Sequence, residues 1–184
     1  PFTIVPTGQL GLVLAKDGTE LETGMILGRK VPCDSFQDAE AFLVNGGRKG
    51  RQTGIITPGS YRINTFLFNV ELTEMTSIPD NAVGIVTTQE GKPLEEQQIA
   101  GKIIEGHNKF QDVDIFMQNG GYKGLQEQVI LAGTYFLNPW FAKVDMVNMM
   151  EIPIGHVGVV ISYVGNEGQD LSGVEFKHGN IVAK

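Results

Sequence analysis

The chain repeats itself, and that repetition constrains its fold more than any other feature. Val5–Gly28, VPTGQLGLVLAKDGTELETGMILG, lies over Ile78–Gly101, IPDNAVGIVTTQEGKPLEEQQIAG. Pro6 falls on Pro79, Gly11 on Gly84, Gly18 on Gly91 and Gly28 on Gly101. One inserted residue later, Phe36–Asn64, FQDAEAFLVNGGRKGRQTGIITPGSYRIN, lies over Phe110–Asn138, FQDVDIFMQNGGYKGLQEQVILAGTYFLN. A third of the aligned positions are identical. A further copy opens at Ile152–Gly165, where Pro153, Gly158, Val160 and Gly165 restate the pattern, and it stops before any FQD or GG-x-KG element. Such periodicity means one small structural unit used repeatedly, with neighbours stacking to bury what a single unit leaves open. The expected organisation is a β-rich unit at 1–76, a second at 77–150, and the truncated start of a third at 151–184.

Each unit reads mostly as strands. VGIV and VGVVISYV are β-branched runs, while QVILAGTYFLN and ITPGSYRIN each read as two apolar segments about a tight hairpin turn, with Pro58 and Gly59 supplying turn geometry in the latter. One short helix of about ten residues is expected between them. Asp34 or Ser35, and Asn108 in the second copy, stand where an N-cap would, with Asp38 and Asp112 in the first turn. Phe36, Phe42 and Leu43, matched by Phe110, Phe116 and Met117, would share one side. Gly46 or Gly47 would end the helix in the left-handed conformation. The predicted fold class is therefore mostly β (α+β): tandem small antiparallel β-rich domains, each with one short helix.

Composition narrows the function classes. A formal charge of −7 opposes binding to phosphate backbones or to anionic lipid, both of which need a basic face. Cys33 is the only cysteine, so no internal disulfide can form. No apolar run approaches the roughly 18 residues needed to span a bilayer. The opening PFTIVPTG has neither an initiator Met nor a signal-like segment, as expected of a piece cut from a longer protein.

Few residues carry a pattern that demands chemistry. His107, His156 and His178 have no partner at metal-ligand spacing. Cys33, with Lys109 or a neighbour as its expected counterpart, has no nearby His in sequence and reads as structural. The recurring pairs Asp38/Glu40 and Asp112/Asp114 lie two apart and point to different faces, so capping and solvation explain them. GGRKGR (Gly46–Arg51) resembles a phosphate loop, yet its copy reads GGYKGL; the glycines persist and two arginines vanish, which favours a helix stop over a binding site. NPWF (Asn138–Phe141) matches NTFL (Asn64–Leu67). Its apolar pairs read as core or inter-unit packing, or as a tip that touches another subunit or a membrane. Trp140, Phe141, Phe66 and Leu67 are thus the first candidates for an assembly or membrane contact.

The string IP-x-G-x-VG, then FQD, GG-x-KG-x-Q, PG-x-Y-x-IN and NPWF…EIPIGHVGVV, resembles the SPFH (stomatin, prohibitin, flotillin; band 7) family, and is most similar to large bacterial flotillin-like members. The resemblance covers nearly the whole chain and rests on structural glycines, prolines and aliphatics. It implies a non-enzymatic, homo-oligomerising scaffold acting in membrane-microdomain organisation, with no cofactor, metal, nucleic acid or small-molecule substrate. Membrane attachment would come through segments outside residues 1–184, leaving this fragment soluble. Two alternatives are a vault-like shell protein and a ligand-binding module with an inter-unit pocket.

Overall fold

The structure, a computed structural model, describes residues 2–96 and 98–161. The chain divides into two units, Pro1–Met149 and Met150–Lys184. The first unit holds both complete repeats and is mostly β, with antiparallel sheets and two short helices. In the first repeat, β1 (Thr3–Val5) turns into β2 (Gln9–Ala15), which lies between β3 (Gly50–Ile56) and β5 (Phe68–Glu74). β4 (Gly59–Tyr61) pairs back onto β1. The second repeat reproduces this plan with β6 (Thr76–Ile78), β7 (Ala82–Thr88), β8 (Gly124–Leu125), β9 (Gly133–Tyr135) and β10 (Ala142–Asn148). β7 is central between β8 and β10, and β9 pairs with β6. Even the register recurs: Gln9↔Glu74 through Ala15↔Phe68 becomes Ala82↔Asn148 through Thr88↔Ala142. The near-continuous apolar run QLGLVLA suits a central strand covered on both faces, whereas AVGIVTT alternates between buried and half-buried positions.

The helices are shorter than expected and start later. α1 (Ala39–Val44) and α2 (Val113–Gln118) are capped by Asp38 and Asp112, whose carboxylates accept from Ala41 N at 2.8 Å and Ile115 N at 3.1 Å. Asp34, Ser35 and Asn108 are not the caps. They open a left-handed turn in which Asp34, Ser35 and Phe36 have φ of 49, 53 and 66°, repeated by Asn108, Lys109 and Phe110 at 46, 55 and 66°. Three successive L-residues in that region are costly, so the turn must be held from outside. Asp38 N donates to Cys33 O, and Asp112 N to His107 O. The rings of Phe36 and Phe110 are buried in the two cores.

Each residue of the repeated FQD therefore has its own task. The phenylalanine anchors the turn. The glutamine's Oε1 accepts from the residue that leaves β4 or β9, Arg62 N for Gln37 and Phe136 N for Gln111. The aspartate caps the helix. Phe42 and Phe116 are fully buried, while Leu43 is mostly out, so a six-residue helix buries one line of side chains rather than a broad face. Gly46 and Gly120 end the helices with φ of 78 and 81°, as expected. The next glycine answers a different need: a Cβ on Gly47 would lie 2.5 Å from the Phe42 ring, and one on Gly121 would lie 2.1 Å from Phe116.

The two expected hairpins are not hairpins. β3 pairs with β2 and β4 with β1, so the Pro58–Gly59 corner hands the chain from one sheet to another. The second repeat turns the same corner at Gly133, with φ of 146°. A side chain closes this corner in place of a ladder: Tyr135 Oη donates to Leu131 O at 2.9 Å. In the second unit, His156 N donates to Pro153 O at 3.0 Å, the same turn that joins Gln9 N to Pro6 O and Ala82 N to Pro79 O. The strand expected over VGVVISYV is not formed at 157–161, where no strand pairs with it among the described residues. Tyr163–Gly165 and His178 lie outside the described residues.

Two substitutions probe these devices. Gly121→Ala should lower stability by about 1–3 kcal/mol through overpacking against Phe116. Gly133→Val should cost about as much, ~1–3 kcal/mol, through strain at its positive φ. Urea unfolding with unchanged midpoints would contradict both assignments.

Candidate assembly interface

The two repeats meet across a joint that is apolar at its centre. Leu27, from the first repeat, is fully buried in the core cluster of the second, with Ile78, Val86, Phe110 and Phe116. The remainder of the first core, built on Phe36, Phe42 and Phe68 with ring centroids 4.9–6.1 Å apart, is the first repeat's own. One leucine thus carries apolar continuity across the boundary, worth about 1.5–3 kcal/mol of burial.

Polar groups clamp the joint around Leu27. Glu90 is only 4% exposed, and its carboxylate accepts from Arg29 Nη2 at 2.5 Å and from Ile26 N at 3.4 Å. Asp114 sits one residue into α2 and reaches back to the first repeat, accepting from Thr53 Oγ1 at 2.9 Å and Lys30 N at 3.4 Å. The buried Asn138 donates through Nδ2 to Gln52 O at 2.9 Å and Thr53 O at 3.2 Å, while its Oδ1 accepts from Trp140 N. The Arg51 guanidinium lies over the Trp140 ring, 5.1 Å from its centroid, a cation–π contact. Charges buried without partners would be expensive, so each carboxylate here fixes the register of one repeat on the other. Among the described residues Arg29 Nη1 and Asp114 Oδ1 have no hydrogen-bond partner, and both residues line an open cleft of about 490 Å³ beside the joint with Lys30, Pro32, Ile115 and Met117.

The expected contact residues divide. Phe141 and Leu67 are buried in the cores, so they are not a tip that touches lipid or another subunit; they point inward from the turns that lead directly into β10 and β5. Trp140 is half-buried beneath Arg51, as inter-unit packing. Phe66, its counterpart in the first repeat, is 92% exposed.

GGRKGR is a helix stop and a joint element. Arg48 is ion-paired with Glu22, and the matching Tyr122 Oη donates to the matching Glu95 at 3.4 Å. Gln52 and Gln126 tie the loop to itself, donating to the carbonyls of Arg48 and Gly50, and of Tyr122 and Gly124.

The counterpart of Cys33 is His107 rather than Lys109, because the inserted residue is Gly106: Asn45 Nδ2 donates to Pro32 O as Asn119 Nδ2 donates to Glu105 O. His107 is buried, accepting from Phe110 N through Nδ1 at 2.7 Å and facing Gln128 Oε1 at 3.1 Å through Nε2. Cys33 is buried at the same place beneath the turn, and burial pushes its thiol above the ordinary range, with the Phe36 amide opposing that shift. Both residues therefore hold the left-handed turn. Glu40 is solvent-exposed, and among the described residues no three His, Cys, Asp or Glu side chains are grouped to hold a metal ion.

Leu27, Glu90, Asp114 and Asn138 escape a reading of the sequence. The polar counterparts Asp17, Glu40 and Asn64 are chemically alike to theirs and mark nothing, and Leu27 against Ala100 is one apolar residue against another in a chain rich in both. The copies diverge at Arg51/Leu125, Thr53/Glu127 and Phe66/Trp140, and Arg51, Thr53 and Trp140 are among the residues that form the joint.

Two measurements check this joint. Glu90→Ala, which strips Arg29 of its partner, should cost about 1–3 kcal/mol, and Arg29→Met with Glu90→Leu should recover most of it; a single variant as stable as the parent would remove the clamp. Cys33 should resist alkylation until the chain unfolds. Because its folded pKa is raised, the stability it contributes is present below the unfolded thiol pKa and declines as pH rises through the folded value. Rapid labelling of the native protein at neutral pH would contradict the burial.

No helix among the described residues is long and apolar enough to cross a membrane. Comparison with family models, with curated proteins and with solved structures returns no match.

Proposed function

We propose that this chain is the stacked β body of a non-enzymatic, oligomerising scaffold of SPFH, flotillin-like type, which joins membranes through segments outside it and organises membrane microdomains. The observation that carries this reading is the joint. The second repeat follows the first without a linker, β6 beginning directly after β5, and the two are locked by Leu27 in a shared core and by Glu90, Asp114 and Asn138 around it. A flexible tether would let two binding modules move independently; a buried, registered joint propagates a rigid axis instead. The polar groups at the repeat boundary are mostly engaged with each other, as a structural clamp requires. The motif residues that carry the resemblance do backbone work, in turns, caps and ring-to-glycine packing, which fits a family signature that encodes architecture.

Electron microscopy of the full-length protein tests this. Regular oligomers seated on membranes are expected. Free closed shells without membrane would instead establish the vault-like alternative, and a specific small-molecule ligand bound in the cleft beside Arg29 and Asp114 would overturn the scaffold reading.

A further inference from the structure

The sheet of the second repeat has one open edge. β10 pairs with β7 on one side, and its other side has no strand partner among the described residues. The ladder fixes which backbone groups face outward. Gln89 N donates to Phe141 O and Met149 N to Asn81 O, so Lys143, Asp145 and Val147 exchange bonds with β7 and the alternate residues turn away from it. The amides of Val144 and Met146, and the carbonyls of Ala142, Val144 and Met146, therefore lie along the free edge. A missing repeat does not explain the opening. β5, the counterpart of β10, is followed by a whole repeat, β10 is preceded by one, and the same edge is unpaired in both sheets among the described residues. Stacking of the repeats thus does not use it.

An exposed edge of seven residues is a template for another strand, and the side chains of this one specify which. On the face away from the core, Lys143 and Asp145 stand two residues apart, ion-paired at 2.9 Å, with side chains 67 and 57% exposed. On the core side are the buried Ala142, the half-buried Val144 and Met146, which is 60% exposed. A lone lysine on an edge deters pairing, whereas a lysine and an aspartate two apart are complementary to their own antiparallel image. With Val144 set opposite the partner's Val144, outward amides meet outward carbonyls. Val144 N donates to the partner's Val144 O, and Met146 N to the partner's Ala142 O, each twice by symmetry. Lys143 then falls opposite the partner's Asp145, at the non-hydrogen-bonded positions where side chains come closest. The ion pair within each strand becomes a square of alternating charge across two, and Met146 is covered beside the partner's Ala142. Sliding the partner by two residues either way sets lysine against lysine or aspartate against aspartate, so charge selects one register. β5 carries no such code: its matching residues Asn69, Glu71 and Thr73 include no cation.

We infer that the free edge of β10 pairs antiparallel with that of a second copy, about a two-fold axis at Val144, so that the two sheets become one. The interface is isologous and closes at the dimer. It gives the scaffold reading a lateral contact, and rests on that reading only for its role in assembly.

Sedimentation velocity of the 184-residue chain from about 1 μM to about 1 mM tests it. The parent should pass from monomer to dimer and no further, with association weakening as salt screens the ion pairs. Lys143→Asp and Asp145→Lys each set like charges opposite one another, and each alone should weaken association at least about tenfold. Combined in one chain, the two substitutions exchange the charges and should restore it. Mixed as separate chains, the two variants should pair one to one, because the carboxylates of one face the ammonium groups of the other. Met146→Pro removes an outward amide while sparing the ladder to β7, and should weaken association comparably. Circular dichroism of each variant confirms that it is folded. A parent that stays monomeric overturns the inference. So do species that grow past dimers, charge variants that associate like the parent, or a mixture that fails to pair. Each of those outcomes leaves the scaffold reading to stand or fall separately, on the microscopy of the full-length protein.

Discussion

Leu27 is the residue on which the two-repeat unit turns. A repeat of this size buries only a modest share of its surface and has little stability to spare. By placing one aliphatic side chain of the first repeat in the core of the second, the chain makes two small cores interdependent. The polar clamp then has a purpose beyond its own energy. Buried ion pairs contribute little net stability relative to apolar packing, but Glu90 and Asp114 admit only one register of the second repeat on the first. Apolar contact supplies cohesion and the carboxylates supply direction.

Within each repeat a second constraint sits at the left-handed turn before the helix. Three residues with positive φ are held by a side chain beneath them, and two unlike residues do this: a cysteine in one copy and a histidine in the other. Both are buried beneath the turn, and the histidine accepts the phenylalanine amide. Side chains that would suggest a nucleophile or a metal ligand are employed to fill the space beneath one turn, and the histidine also satisfies a backbone N–H. The extra Gly106 accompanies the histidine, and the two copies regain the same path by Phe36 and Phe110.

The sequence by itself determined the repeat, the mostly β character, the one short helix per copy and the glycine pair that stops it, of which the structure makes Gly46 and Gly120 the left-handed ones. Those features are written in local patterns: β-branched runs, an aspartate before an apolar stretch, and Asn-Gly-Gly after it. It misplaced the helix start, because Asp34 and Asp38 are equally good caps until the buried Phe36 decides between them. It read corners as hairpins, because a Gly-centred turn looks the same whether the next strand pairs backwards or crosses to another sheet. Only the tertiary structure decided which copy's carboxylates are buried. Glu90 and Asp17 are alike as residues, and what separates them is whether a neighbouring repeat lies against them.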